Sequence, residues 1–282
     1  VVHPQNYQCA FATISIVYPS APKNGYLKIH KSSANPEMTD KNSCYKFEDI
    51  RYGIFTDAAC VNNLVVLTLD ANGYSQPYEL PEGTYYVREA DAAPGSGYQT
   101  NGTVYTVNVT AGTTADAPVM CETTDVPLND PLGIVINKIN SDGTTAADLS
   151  CAEYTITYYP KQYTSLVEIK EETDPEVKPT VWVIQTLKAA NGNYRAMLDD
   201  AHIVPNSNSA GAVFGKNHTG TYVIPLGTIT VEETKAPAGF TKDGAVVSSA
   251  KTGATISGTN NVYLFQLVDE NSAVYLKSGN AL

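Results

Sequence analysis

Apolar and polar residues alternate along much of this chain, with apolar side chains two positions apart. Leu27 and Ile29 share one parity near the N-terminus, and Ile134 and Ile136 repeat the arrangement much later. Successive side chains of a strand point to opposite faces, so this period of two predicts half-buried strands. Apolar positions at helical spacing are scarce, and the abundance of Thr, Val and Tyr favours strands. We therefore predict an all-β protein.

Four charged residues occupy positions that this alternation assigns to apolar side chains. Lys31 and Lys138 each continue the apolar parity of an early strand, and Glu89 and Glu233 do so on later strands. A buried and unpaired Lys or Glu is costly in free energy. The pattern therefore predicts that Lys31 meets Glu89 and that Lys138 meets Glu233.

An aspartate at the same inward parity closes each half of the pattern. Asp125 follows an alternating segment that begins at Val119, and Asp269 follows one that begins at Tyr263. Each half of the chain thus offers an inward Lys on its first strand, an inward Glu on a later strand and an inward Asp on its last. The duplicated order predicts two tandem domains, each with one buried charged cluster.

The turn signals and the repeated motifs divide the chain into two tandem domains with strand-like flanks. The predicted parts are an N-terminal strand-like segment (linker or donor strand) at 1–24, domain 1 at 25–127, a linker at 128–132, domain 2 with a long insertion at 133–271, and a strand-like tail at 272–282.

Short motifs in both halves resemble one known family, the B-type domains of Gram-positive surface proteins, of the collagen-adhesin and SpaA pilin kind. Ile229–Phe240 closely matches its signature, roughly Tyr-x-Leu-x-Glu-Thr-x-Ala-Pro-x-Gly-Tyr, and Tyr85–Tyr98 matches it with two inserted residues. The opening Gly-x-apolar-x-apolar-x-Lys is present at Gly25–Lys31 and is one residue shorter at Gly133–Lys138.

The resemblance implies that each domain is a prealbumin-like or Ig-like β-sandwich. It also implies an intramolecular isopeptide bond between Lys and Asn or Asp in each domain, assisted by the Glu. Carried onto this sequence, it implies Lys31–Asp125 and Lys138–Asp269 bonds, with Glu89 and Glu233 as the assisting residues. Burial favours a neutral, nucleophilic amine and a protonated carboxyl, so the chemistry suits such a site. A buried hydrogen-bonded cluster without a covalent bond remains the alternative.

The charge and the motifs exclude several functional classes. A net charge of −11 argues against nucleic acid or anionic lipid as the main partner. No apolar run has the length of a membrane span, and the initial Val indicates a signal peptide that was removed or never included. Neither a nucleophile elbow nor a phosphate-binding glycine loop occurs, and scattered His and Cys residues make zinc improbable. We predict no enzyme activity beyond single-turnover bond formation, no cofactor and no metal.

Five cysteines in an exported chain leave at least one unpaired or shared. Local pairing of Cys44 with Cys60 is one prediction, and an intersubunit disulfide through Cys9 is another. The pairing of Cys121 and Cys151 stays open, and the alternative is that both are small buried apolar residues. The segment Tyr18–Asn24 also resembles, with three extra residues, the Tyr-Pro-Lys-Asn pilin motif, whose Lys (here Lys23) accepts the sortase linkage.

These observations favour a structural subunit of a bacterial cell-surface pilus, fibre or stalk, located outside the cell. Its expected partners are neighbouring copies of itself, other pilus subunits or the cell wall. The alternative is a surface adhesin that binds a host or matrix ligand through the insertion in domain 2.

Overall fold

The structure is a computed structural model that describes residues 23–140, 147–211, 213–242, 246–249, 256–259, 262–268 and 274–280. The described residues form strands with two short helices, which confirms the all-β prediction. The predicted N-terminal strand lies outside the described residues except for its last two, Lys23 and Asn24. We call residues 24–127 the first unit and residues 132–280 the second unit.

The first unit consists of two facing sheets with strand orders β4-β1-β7 and β3-β2-β5-β6. Its elements are β1 (Asn24–Ser33), α1 (Pro36–Thr39), β2 (Arg51–Phe55), β3 (Asn63–Thr68), β4 (Tyr78–Pro81), β5 (Gly83–Asp91), β6 (Val104–Val109) and β7 (Val119–Asp125). Strands β1 and β7, the first and the last, are parallel neighbours. The core between the sheets contains Leu27, Ile29, Ile54 and Val87, all fully buried.

The second unit repeats this plan with five strands in each sheet, in the orders β12-β13-β9-β20-β17 and β11-β10-β16-β19-β18. Its elements are β9 (Ile134–Asn140), β10 (Glu153–Tyr159), α2 (Leu166–Lys170), β11 (Thr180–Gln185), β12 (Leu187–Lys188), β13 (Tyr194–Met197), β14 (Gly215–Lys216), β15 (Tyr222–Pro225), β16 (Gly227–Lys235), β17 (Val246–Ser249), β18 (Ile256–Thr259), β19 (Val262–Leu267) and β20 (Val274–Asn280), and the strand β8 (Asn129–Pro131) precedes them. By position in their sheets, β9, β10, β16, β19 and β20 correspond to β1, β2, β5, β6 and β7.

Two predicted boundaries differ from the structure. The strand-like tail placed at 272–282, outside domain 2, contains β20, which is the parallel neighbour of β9 inside the sheet of the second unit. The segment assigned to a linker at 128–132 contains β8, which forms a small sheet with β15 and β14. Both segments are short and lack the repeated motifs, so their pairing partners were not visible in the sequence.

One glycine of the family motif is required by a close approach of two backbones. Gly97 has a φ of 79°, in the left-handed region that favours glycine. A Cβ atom at this position would lie 2.4 Å from the carbonyl oxygen of Cys44. The Gly-Tyr of the motif therefore packs the loop after β5 against the segment that precedes β2.

Candidate functional site

The structure brings Lys31, Glu89 and Asp125 together between the two sheets of the first unit. Lys31 is fully buried on β1, and its Nζ donates to Asp125 Oδ2 on β7 and to Glu89 Oε2 on β5 at 3.3 Å. The parallel register sets Lys31 opposite Thr123 and Ser33 opposite Asp125. The Lys side chain thus reaches an Asp placed two residues further along the neighbouring strand.

Two tyrosines that the sequence analysis did not single out enclose this amine. The rings of Tyr52 and Tyr98 lie with their centroids 5.6 Å from Lys31 Nζ. The Tyr52 hydroxyl is 3.0 Å from Thr123 Oγ1, which fixes the ring against β7. Tyr52 shares its parity with the buried residues Ile50 and Ile54. This alternation in the sequence could have predicted that Tyr52 faces the core.

Burial is the main cause that raises the pKa of Glu89 above its ordinary value. The neighbouring Asp125 carboxyl acts in the same direction, whereas the backbone N–H of Asn101 and the Lys31 ammonium oppose it. The Asn101 N–H donates to Glu89 Oε2 at 2.9 Å, and Glu89 Oε1 accepts no hydrogen bond from the described residues. A buried carboxyl of raised pKa suits a Glu that gives and takes protons.

The second unit reproduces the Lys–Glu–Tyr part of this arrangement. Lys138 is fully buried on β9, and its Nζ donates to Glu233 Oε1 on β16 at 2.7 Å. The Tyr154 ring lies 5.7 Å from the same nitrogen. Burial lowers the pKa of Lys138, against the opposing effect of Glu233. A buried amine of lowered pKa is a better nucleophile at neutral pH than an exposed lysine.

The backbone register places the Tyr and the Glu of the two sites in the same way. Tyr52 is opposite Glu89 and Tyr154 is opposite Glu233, and in each pair of strands the register shifts just before the Tyr. Both tyrosine rings lie close to the buried lysine of their own unit.

Asp269, the predicted third member of the second site, lies outside the described residues. The strand that leads to it, β19, is paired with β16 and β18 in the sheet that faces β9. The strand that occupies the position of β7 is β20 instead. Its parallel register sets Ser278 opposite Lys138 and Asn280 opposite Asn140. In the first unit, Thr123 is opposite Lys31 and Asp125 is opposite Ser33 in the same way.

The predicted Cys44–Cys60 pairing is not present, because both are free thiols. Cys44 precedes β2 and Cys60 follows it in the turn to β3, so a strand of five residues separates them. Such a strand spans about 17 Å, whereas the Cα atoms of a disulfide lie less than about 7 Å apart.

The remaining cysteines and Lys23 are distributed as follows. Cys121 is buried in the first core, Cys151 is exposed and Cys9 lies outside the described residues. Burial raises the pKa of Cys44 to about 11 and that of Cys121 to about 12, which makes both thiols unreactive in the folded state. Lys23 is exposed just before β1.

Within the described ranges, no group of three His, Cys, Asp or Glu side chains is arranged to bind a metal ion. No helix of the same residues is long and apolar enough to span a membrane. A cavity of about 680 Å³ lies where the two units meet, lined among others by Lys46, Tyr98, Gln162 and Leu226.

The class of fold is defined by a family model. Residues 39–121 match the SpaA family, a prealbumin-like fold domain, which confirms the resemblance predicted from the motifs. The matched range contains Glu89 but neither Lys31 nor Asp125. A comparison with curated proteins gives no match.

Three solved structures are similar over nearly the whole chain. The Bacillus anthracis TIE protein is 16% identical with a TM-score of 0.50, and the match covers 92% of this chain and 34% of that protein, so the chain spans about a third of its length. The C-terminal fragment of the pilus adhesin SpaC from Lactobacillus rhamnosus GG is 14% identical (TM-score 0.44, coverage 92% and 97%). The shaft pilin spaA from the same organism is 15% identical (TM-score 0.27, coverage 93% and 98%).

The raised pKa of Glu89 predicts a pH dependence once Lys31 is removed. A carboxyl whose pKa is raised in the folded state contributes stability below its unfolded value, ordinarily 4.5, and loses it as the pH rises through the folded value. In Lys31→Met, which cannot form the bond, we expect the free energy of unfolding to fall as the pH rises above 4.5. Urea denaturation at several pH values measures it.

The matched control is the double variant Lys31→Met/Glu89→Gln, which lacks the titrating carboxyl at this position. Its free energy of unfolding should depend less on pH than that of the single variant. Equal slopes in the two variants would show that Glu89 titrates normally in the folded state.

Proposed function

We propose that this chain is a structural subunit of a bacterial cell-surface pilus, fibre or stalk, in which each unit is tied by an isopeptide bond between its first and last strands. One observation carries the proposal: Lys31 Nζ contacts Asp125 Oδ2 inside the first core, beside a Glu of raised pKa. Removing this amine and these carboxyls from water costs several kcal/mol per ion, and amide formation removes two of the three charges.

The chemistry requires only the groups present. The neutral Lys31 amine attacks the Asp125 carboxyl carbon, a C–N bond forms and a C–OH bond breaks. Glu89 delivers a proton to the departing hydroxyl and accepts one from the amine, so that one molecule of water leaves and Glu89 is regenerated. The fold holds the reacting atoms in contact, which supplies a high effective concentration.

The position of the bond fits a load-bearing role. Force applied at the chain ends enters at β1 and leaves at β7, which are parallel neighbours. With a Lys31–Asp125 bond in place, the force passes through that bond and bypasses the 93 residues between them. The sheets between the two strands then carry little of the load.

In the second unit we propose Asn280 in place of Asp269 as the partner of Lys138. The support is the register: Asn280 is placed against β9 as Asp125 is placed against β1, whereas the strand before Asp269 belongs to the facing sheet. An asparagine carboxamide attacked by the Lys138 amine releases ammonia instead of water. The two assignments therefore differ in mass.

Intact-mass measurement of the reduced, denatured chain tests both bonds. We expect a mass below that of the sequence by one water and one ammonia. Asn280→Ala should retain only the loss of water, and Asp269→Ala should lose both molecules as the wild type does.

Each alternative predicts another mass. A loss of two waters, with Asp269→Ala abolishing one of them, would restore Asp269 as the partner. A mass equal to that of the sequence would exclude both bonds and leave two buried ion-paired clusters.

The same proposal places the protein outside the cell, with other pilus subunits or copies of itself as partners. Lys23 is exposed at the start of β1, so its amine is accessible for a sortase linkage. An adhesin that binds a ligand through the insertion of the second unit is the competing proposal. The cavity between the units has the size of a small-molecule site and is the place to look for such a ligand.

A further inference from the structure

The strand β15 sends successive side chains into two different cores. Val223 packs in the core of the first unit, and the next residue, Ile224, packs in the core of the second. Both are nearly fully buried. Alternation along a strand thus makes one short segment part of both cores. Leu226, just beyond β15, also belongs to the first core.

The segment that connects the units is held by the same strand. β8 pairs antiparallel with β15, with Asp130 opposite Ile224 and Pro131 opposite Val223. On its other side β15 pairs with β14. The connection is therefore part of a sheet that lies between the units. We call β8, β14, β15 and Leu226 the interdomain clamp.

Two tyrosine hydroxyls lock the clamp from opposite sides. The Tyr45 hydroxyl of the first unit donates to the Leu128 carbonyl at 2.6 Å and accepts from the Leu226 N–H at 2.9 Å. The Tyr158 hydroxyl of the second unit donates to the Leu226 carbonyl at 2.9 Å. Asn42 Nδ2 donates to this carbonyl at 3.0 Å and to the Tyr158 hydroxyl at 2.9 Å. The backbone of Leu226 is thus fully paired across the junction.

We propose that the interdomain clamp joins the two units into one rigid segment, and that this is the role of residues 215–226 of the insertion. Buried apolar contacts with both cores, and a Leu226 backbone that is hydrogen-bonded by both units, are features of a permanent interface. This inference does not depend on the isopeptide bonds. In this inference, part of the insertion binds the first unit of the same chain instead of an external ligand.

The buried thiol of Cys44 reports the opening of this junction. Cys44 lies beside Tyr45 and interacts with Gln162 of the second unit. In a chain with Cys9, Cys60 and Cys151 replaced by Ser, Cys44 and Cys121 are the remaining thiols. Tyr45→Phe removes both hydrogen bonds of the hydroxyl, and we expect native-state labelling of Cys44 to accelerate about tenfold or more. Labelling of Cys121, inside the first core, should not change.

Tyr85→Phe is the matched control. Tyr85 is also buried in the first unit, and its hydroxyl donates to the Pro81 carbonyl at 2.9 Å, away from the junction. It should leave the labelling of Cys44 unchanged. Tyr158→Phe tests the clamp from the second unit and should accelerate Cys44 selectively, as Tyr45→Phe does.

Selective acceleration of Cys44 by both junction variants supports the clamp. Wild-type labelling of Cys44 at the rate of an exposed thiol, or equal acceleration by Tyr85→Phe, would overturn it. If Tyr45→Phe unfolds, which fast labelling of Cys121 would reveal, Tyr158→Phe tests the proposal in its place. An unchanged Cys44 rate in that variant also overturns the proposal.

Discussion

Asp125→Ala is expected to lower the free energy of unfolding of the first unit by about 5 kcal/mol, because it removes a cross-link that closes a loop of 94 positions. The chain should also be heavier by the one water that the wild type has lost, after correction for the substitution. Lys31 keeps its contact with Glu89, so the fold should be retained. Denaturant unfolding and intact mass measure the two effects, and resistance to protease should fall with stability.

Asp125→Asn is the matched control for this variant. The carboxamide offers the same carbon to the Lys31 amine, so the bond should form with loss of ammonia and the stability should stay near that of the wild type. If Asp125→Ala unfolds at the same denaturant concentration as the wild type and Asp125→Asn, the cross-link makes no contribution to stability.

Glu89→Gln is expected to prevent or strongly slow bond formation in the first unit while leaving its fold intact. Gln keeps the shape and can still accept the Asn101 N–H, but it cannot exchange a proton between the amine and the leaving hydroxyl. Loss of such a proton-transfer group slows a reaction by a factor on the order of 10² to 10⁴. The rate is measured by the loss of one water from the intact mass of the chain, followed over time after refolding.

Glu122→Gln is the control, since Glu122 lies on the same strand as Asp125 but is exposed and pairs with His30. It should form the bond as the wild type does. Complete bond formation in Glu89→Gln at the wild-type rate would leave Glu89 with a purely structural role.

The parity of the strands was sufficient to place most of the charged residues. Lys31, Lys138, Glu89 and Glu233 were predicted to face inward, and all four are buried. The reason is local: within one strand the side chains alternate strictly, so one apolar face determines the other positions. The duplicated motifs similarly predicted the family of the fold, which a family model confirms for residues 39–121.

Parity identifies a face but not the strand on the other side of it. Asp269 and Asp125 occupy similar places in the sequence pattern, yet β19 corresponds to β6 and β20 corresponds to β7. The second unit contains an additional pair of strands, β17 and β18, and β19, the strand before Asp269, is not a sheet neighbour of β9. Only the pairing of β20 with β9 brings Asn280 into consideration.

The amino-acid pattern alone was enough to predict the strand class of the fold, the duplicated order of motifs and the inward direction of the two lysines and two glutamates. The tertiary structure decided which strands are neighbours, that Cys44 and Cys60 lie beyond opposite ends of β2, and that Val223 and Ile224 enter different cores. The physical reason is the range of the interactions. Alternation and turn preferences act over a few residues, whereas sheet order and the interdomain clamp depend on contacts between segments that are far apart in the chain.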